Sequence, residues 1–498
     1  MQYTLRDYQE KAIKDIRSQF SRGKKRILLV SPTGSGKTVV ACEIIKLAMK
    51  KDSHCLFVAN RRILVNQCSN KLRENGISHG VMMAGKTSNA LSAVQVASIQ
   101  TFISRKKDLD WDFIRPYGDL LIIDEAHRST SKSFLELLDE YPASLVIGLT
   151  ATPIRNDGAG LGNIYDEIVE SSSIKKLTEK GWLVPERFVA PTMPDLKGVK
   201  ITGGDYNPKQ LDERMNTTQL TGDIVTHWIK FGKGRPTVAF ASSIAHSKYI
   251  ANVFRHNGVE AGHIDGEMSE LEREIVLDDY ERGRIEVLSN CQVLSEGFDS
   301  PRTSCIILAR PTRSYPLYLQ MIGRSLRPFE NKKDTLVIDH SGAVYRHGFL
   351  SDIPEWVLTK KKLKPKEKKL KLAEETQPFT CTQCDAVYKP TKENKSCPEC
   401  GHTLEKKERV ILIKQGRLKE VVKVPDSTAE KNQFLAELTF VCKQKNYNIG
   451  WASHKFKEKY GHFPYTKKVV PTPPSEKTLK FLQYLSLIHI SEPTRQAE

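Results

Sequence analysis

At 498 residues and 39% hydrophobic content, the chain has material for about three globular cores. No apolar run approaches the roughly 18 residues of a membrane span, and the start is polar, so a soluble cytoplasmic protein is the expectation. The net charge of +18 is concentrated late: residues 346–498 hold 30 Lys and Arg against 18 Asp and Glu, which suits a polyanionic partner or merely keeps that third solvated.

Leu5-Arg6-Asp7-Tyr8-Gln9 opens a helical pattern carried by Ala12, Ile13, Ile16 and Phe20. The Gln9 amide donates and accepts at once, as reading an adenine edge requires, although an exposed Gln near a helix start is equally ordinary. The organising stretch follows, RILLVSPTGSGKT over Arg26–Thr38: the apolar run Ile27–Val30 predicts a buried parallel strand, and Gly34, Ser35 and Gly36 a turn wrapping backbone N–H groups around an anion. Lys37 would reach β- and γ-phosphates and Thr38 would hold Mg²⁺. The pattern G-x-x-x-x-G-K-[ST] is met except at its first position, where Ser31 stands.

Two further strands run into polar loops, Cys55–Ala59 into Asn60-Arg61-Arg62 and Val94–Ala97 into Ser98-Ile99-Gln100-Thr101; both resemble loops that grip a nucleic-acid backbone. Leu120–Ile123 ends in Asp124-Glu125-Ala126-His127, which places two carboxylates at the C-terminal edge of a central strand. Asp124 would complete the Mg²⁺ shell and Glu125 would orient and deprotonate water. Leu145–Leu149 leads into Thr150-Ala151-Thr152-Pro153, whose two hydroxyls share a side of extended chain and are positioned to bond to the acidic pair.

A second alternation of strand and helix begins near residue 215, with strands at Thr237–Phe240, Glu286–Leu288, Ser304–Leu308 and Thr335–Asp339 and a helix over Ile244–Asn257. It carries Ser295-Glu296-Gly297-Phe298-Asp299 and Gln320-Met321-Ile322-Gly323-Arg324-Ser325-Leu326-Arg327. Arg324 and Arg327 stand at i and i+3, so on a helix they project from one face toward a single γ-phosphate.

Residues 360–371, KKKLKPKEKKLK, hold eight lysines around Pro365 and read as a basic tether, in contact with phosphates or simply solvated. Of ten cysteines, six are scattered and four form Cys381-x-x-Cys384, twelve residues, and Cys397-x-x-Cys400; this argues against a disulfide scaffold and for one tetrahedral structural Zn²⁺. Tyr388, Lys389 and Lys392 inside that ribbon are candidates to touch DNA. Val410–Val424 alternates like a small hairpin, and Phe434–Tyr460 predicts two helices around Gly450-Trp451, with Lys455, Lys457 and Lys459 as a basic stripe or a solvated face. The segment LSLIHISEPTRQAE, Leu485–Glu498, resembles translated sequencing adapter, which implies a non-native tail without packed contacts.

The ordered set PTGSGKT, DEAH, TAT, SEGFD and QMIGRSLR resembles the superfamily 2 helicases, over roughly residues 1–345. The resemblance implies an α/β fold of two tandem RecA-like lobes with parallel sheets, hydrolysing ATP with Mg²⁺ in the cleft between them. It assigns Gln9 to adenine, Gly34, Ser35, Gly36, Lys37, Thr38, Asp124, Gly297 and Asp299 to nucleotide and metal, Lys37, Asp124, Glu125, Arg324 and Arg327 to catalysis, and Thr150 and Thr152 to coupling between lobes. LRDYQ, GLTATPIRNDG, the ribbon and IGWASHKFKEKYGHFP look like the bacterial and phage RadD-type DNA-repair helicases, which implies DNA, single-stranded or forked, as partner and movement 3′ to 5′.

The domains expected are lobe 1 at 1–165, a connector at 166–214, lobe 2 at 215–345, a linker at 346–378, the zinc ribbon at 379–404, an accessory region at 405–484 and the tail at 485–498. A duplex translocase subunit of a restriction system, an RNA helicase and a non-catalytic nucleic-acid scaffold stay open as alternatives. The first would need a nuclease partner, because the sequence shows no convincing P-D…E-x-K arrangement.

Overall fold

The computed structural model describes residues 4–482 except 156–158, 191–193, 203, 295–296, 353–355, 361–377, 391–395, 404–427, 449, 461, 467–468 and 480. The chain forms two compact units, Met1–Lys406 and Lys407–Glu498. Among the described residues no helix is long and apolar enough to cross a membrane. The lysine-rich run from 361, the expected hairpin at 410–424 and the tail at 485–498 fall outside the described residues.

The first unit is built on two eight-stranded sheets. The first takes β1 (Arg26–Val30), β2 (Cys55–Ala59), β3 (Gly80–Met83), β4 (Lys86–Ser88), β5 (Val94–Ser98), β6 (Leu120–Ile123), β7 (Leu145–Thr150) and β8 (Glu167–Glu170), in the spatial order β4-β3-β5-β2-β6-β7-β1-β8. All pairings are parallel except the β3–β4 hairpin. The continuous apolar runs make sense in this setting, because both faces are covered. Along β1, Ile27 and Leu29 enter one core and Leu28 and Val30 the other.

The second sheet takes β9 (Glu186–Val189), β12 (Thr237–Ala241), β13 (Ala261–Ile264), β14 (Val287–Asn290), β15 (Cys305–Ala309), β16 (Thr335–Asp339), β17 (Phe379–Thr380) and β18 (Ala386–Tyr388), in the order β13-β14-β12-β15-β16-β9-β18-β17. A separate hairpin, β10 (Ile201–Thr202) and β11 (Asp205–Tyr206), precedes the helix Pro208–Met215. It is pinned to the second lobe where Asp205 accepts from Thr312 Oγ1 at 2.7 Å and Asp212 from Ser242 Oγ at 3.0 Å.

The stretch 166–214, expected as a connector, supplies a strand to each sheet: β8 pairs with β1 and β9 with β16. The apolar runs involved, Ile168-Val169 and Phe188-Val189, are too short to stand out by themselves and become strands because an open sheet edge receives them. The ribbon is equally integrated, since β18 pairs antiparallel with β9.

After the second lobe, residues 356–360 run back across the first. Gly162 N–H donates to Thr359 O at 2.9 Å, Trp356 N–H to Glu170 Oε2 at 3.5 Å, and Trp356 and Leu358 pack on a first-lobe core while the Trp356 ring meets Tyr315 of the second lobe at 6.3 Å. In the second unit, helices Thr428–Gln444 and Gly450–Tyr460 bury Phe434, Leu438, Cys442, Ala452 and Phe456 against one another.

Candidate functional site

Gly34 and Gly36 adopt φ of +87° and +85°, a left-handed geometry that turns the chain from β1 into the helix Lys37–Met49. Ser31, the departure from the motif, ties this loop down: its Oγ lies 2.6 Å from Ser35 Oγ and 2.7 Å from Ser171 Oγ at the end of β8. Gln9 and Tyr8 brace the loop from outside, with Gln9 Nε2 and Tyr8 Oη donating to Ser35 O at 3.0 and 2.7 Å. The other end of the Gln9 amide accepts from Arg6 N–H at 3.0 Å, so both ends of this buried side chain are engaged by the chain itself. Lys37 Nζ donates to Ser31 O at 3.2 Å; burial pushes its pKa down, opposed by the charges of Glu125 and Asp124.

Asp124 follows β6 and accepts from the Glu125 N–H at 2.9 Å. Burial, then the neighbouring carboxylate, raise Asp124 well above the usual carboxylate range. Burial also disfavours ionised Glu125, but His127, whose Nδ1 lies 3.3 Å from Glu125 Oε2, and the charge of Lys37 outweigh it and keep Glu125 ionised. Glu125 sits at φ +50° despite carrying a Cβ, a strained conformation of the kind that collects at working sites.

The hydroxyls of Thr150 and Thr152 do not reach the acids as a pair. Thr150 Oγ1 donates to Thr152 O at 2.7 Å and accepts from Thr152 N–H at 3.1 Å, because a hydroxyl at a strand end bonds most easily to its own turn.

From the second lobe, the helix Tyr315–Gly323 points at this loop, and a Cβ on Gly323 would lie 2.6 Å from Thr33 Cβ. Arg324 caps the helix and Arg327 lies beyond it, so the i, i+3 face expected of a continuous helix is not what aligns them. Pro328 disfavours helical backbone at Arg327, so the helix does not resume through it. Both guanidiniums still arrive: the charges of Arg324 and Arg327 act on Lys37, and the Arg327 side chain lies against Gly34, where an added Cβ would be 3.1 Å from Arg327 Cγ.

Arg324 Nη1 donates to Phe298 O at 2.9 Å and Arg327 is ion-paired with Asp299. Gly297 O accepts from Gln67 Nε2 of the first lobe, whereas Ser295 and Glu296 are outside the described residues. Lys37, Asp124, Glu125, Arg324 and Arg327 therefore converge on one phosphate loop. Sequence reasoning passed over Gln320 and His127: Gln320 Nε2 donates across the lobes to Glu125 Oε2 at 3.4 Å, and a polar amide four residues before Arg324 in an otherwise apolar run was the available signal.

The loops after β2 and β5 adjoin, with Gln100 Nε2 donating to Asn60 O at 2.9 Å, and Arg62 pairs with Glu270 of the second lobe at 3.4 Å. The four ribbon sulfurs lie within 4.8 Å of one another, with Cys381–Cys400 and Cys384–Cys397 at 3.6 Å, close to the about 3.8 Å that tetrahedral thiolates keep around Zn²⁺. The residues fit that ion. Tyr388 is buried and the half-buried Lys389 pairs with Asp352 at 2.6 Å; Lys392 is outside the described residues. The stripe expected from Lys455, Lys457 and Lys459 does not form, because alternate residues diverge on a helix: Lys455 pairs with Glu458 at 2.9 Å and Lys459 Nζ lies 3.6 Å from the Phe434 ring centroid.

Residues 2–155 match the family described as Type III restriction enzyme, res subunit, and residues 221–328 the helicase conserved C-terminal domain. A 51.5 kDa protein of a Lactococcus phage is 29% identical over 434 residues, covering 86% of this chain and 89% of its own. A Saccharomyces cerevisiae protein named as a candidate ATP-dependent helicase, IRC3, is 33% identical over 68% of this chain; the match spans 52% of that longer protein. A fragment of a candidate HsdR subunit of a type I restriction enzyme from Vibrio vulnificus YJ016 shares the fold, with a TM-score of 0.56 at 21% identity over 71% of this chain and 68% of its own. With the two family matches in tandem on paired parallel sheets, the chain belongs to the superfamily 2 helicases, nucleic-acid-dependent ATPases built from two RecA-like lobes.

Proposed function

We propose that the chain is an ATP-driven DNA translocase or helicase of the RadD-type group, acting in repair, recombination or replication. The observation that carries this reading is the convergence of Lys37, Asp124 and Glu125 from one lobe with Arg324 and Arg327 from the other. Lys37, Gly34, Ser35 and Gly36 would bind the triphosphate, and Thr38 and Asp124 would hold Mg²⁺, which when bound supplies positive charge against the phosphates. Glu125, held ionised, would orient the attacking water and take its proton. Arg324 and Arg327 would neutralise charge developing at the γ-phosphate, and Gln320 would keep Glu125 aimed. Because the arginines come from the far lobe, closing and reopening of the cleft would be coupled to hydrolysis. The loops at Asn60–Arg62 and Ser98–Thr101 would hold the strand, and Zn²⁺ in Cys381, Cys384, Cys397 and Cys400 would fix the ribbon on β9 without reaction chemistry.

Glu125→Gln and Lys37→Ala are each expected to cut DNA-stimulated ATP hydrolysis by roughly 10²-fold or more while leaving DNA binding within a few-fold. Unaltered turnover in either variant removes the mechanism. Likeness to restriction proteins favours a second reading, translocation on duplex DNA without strand separation. Fork unwinding compared with triplex displacement separates the two, and stimulation by single-stranded DNA against RNA decides the polymer.

A further inference from the structure

The second unit carries a surface that the ATPase reading leaves unused. Between Thr428 and Leu482 the chain holds ten lysines against four glutamates and no Arg or Asp. Two of those acids are already engaged: Glu437 is buried and accepts from Ser475 Oγ at 2.8 Å, and the exposed Glu458 is paired with Lys455. The cationic excess is thus left to lysines such as Lys443, Lys445 and Lys457, all exposed.

Beside Lys457 lie aromatic rings that a solvated face would not need. Phe463 is 47% exposed and Tyr465 94%, values that leave ring faces open to a partner. They are nevertheless held in place. His454 meets Phe463 edge-on at 5.4 Å, Lys457 Nζ lies 4.5 Å from the Phe463 centroid, and His462 contacts Tyr465 at 5.1 Å. His462 also meets Phe456 at 5.8 Å, and Phe456 belongs to the core of the unit, so His462 links Tyr465 to that core.

We propose that His454, Lys457, His462, Phe463 and Tyr465 form a stacking platform for unpaired nucleotides, a second nucleic-acid site in a unit of the chain that lacks the ATP-site residues. Exposed aromatic faces interleaved with cations are what single strands bind without sequence preference: bases stack on the rings while lysines follow the phosphates. A duplex offers no free base faces, so the platform selects single strands. This assignment is independent of the ATPase mechanism, because it uses neither the phosphate loop nor the lobes around it.

The test uses the full chain with Phe463→Ala/Tyr465→Ala, and Tyr465→Ala alone as the less perturbing variant. Binding is measured by anisotropy on dT15, rU15 and an abasic 15-mer of the same charge, and a 5-iodouracil 15-mer is photocrosslinked to the parent protein. The double variant is expected to lose at least about five-fold in affinity for dT15 and rU15, the lower end for one stacked base, and to keep its affinity for the abasic strand. Tyr465→Ala is expected to lose less in the same direction, with unchanged thermal melting and unstimulated ATP hydrolysis in both. Crosslinked peptides are expected to include residues 462–465. Undiminished dT15 affinity in both variants, equal loss on the abasic strand, or no crosslink within residues 454–465 overturns the platform; the first and last together make the surface a protein-docking face instead. None of these outcomes bears on Glu125→Gln, so the two readings fail separately.

Discussion

Glu125 is the residue on which most of the local geometry acts. It is buried, sits in a left-handed backbone conformation, and its carboxylate is approached from its own lobe by His127 and from the other by Gln320. Gln320→Ala removes the amide that crosses the cleft and leaves Lys37 and Gly34 untouched, so ATP binding should persist while hydrolysis falls by about ten-fold; measured kcat and KM for ATP separate these effects.

Two histidines far from the acids set a different sensitivity. Burial pushes His246 down to about 4 and His340 down to about 3, the latter also through the neighbouring His227 ring at 5.2 Å. Their folded pKa lies below the unfolded value, so both are neutral in either state above about pH 6.5 and stability is undiminished there. As pH falls toward 4 the unfolded chain takes up protons that the folded one refuses, and each histidine removes up to about 1.4 kcal/mol per pH unit. His340→Gln should flatten the loss of urea stability between pH 6.5 and 4, read from unfolding midpoints across that range.

Among the elements, the strap at residues 356–360 has the clearest mechanical consequence. It touches both lobes, and Trp356 lines a cavity of about 20 Å³ together with Pro32 and Thr33 of the phosphate loop and Leu319 and Gly323 of the arginine-bearing helix. Gly162 has no room for a side chain, since a Cβ would meet Thr359 C at 2.9 Å and O at 3.0 Å. Gly162→Ala should push the strap outward and cost about 1–3 kcal/mol of stability, with protease sensitivity appearing near residue 359; a melting curve and limited proteolysis check both. The helix Tyr315–Gly323 shows why element boundaries were harder to read than motifs. Its arginine spacing suggested one continuous face, but the helix stops before Arg327 and side-chain contacts with Phe298 and Asp299, remote in sequence, do the aligning.

At the scale of the molecule, the ribbon is part of the second lobe's sheet through β18 on β9. Removing zinc with a chelator, or Cys384→Ser, should therefore lower the melting temperature of the lobe as well as unfold the hairpin, and about one Zn²⁺ per chain should be found by metal analysis. Local chemistry was legible without coordinates: an apolar run before Ser31–Thr38, two acids after Leu120–Ile123 and paired cysteines at metal-ligand spacing are encoded within a few residues each, because strand propensity, turn glycines and thiolate spacing act over that range. What the sequence could not settle is everything formed by partners distant along the chain. Ser31 bonding to Ser171, Gln320 reaching Glu125, β8 and β9 completing two sheets, Lys389 turning to Asp352 and Lys459 folding over Phe434 depend on which surfaces meet once both lobes and the helical unit have closed. Short polar and apolar segments carry no periodic signal of their own; only packing against a preformed edge or ring fixes where they go.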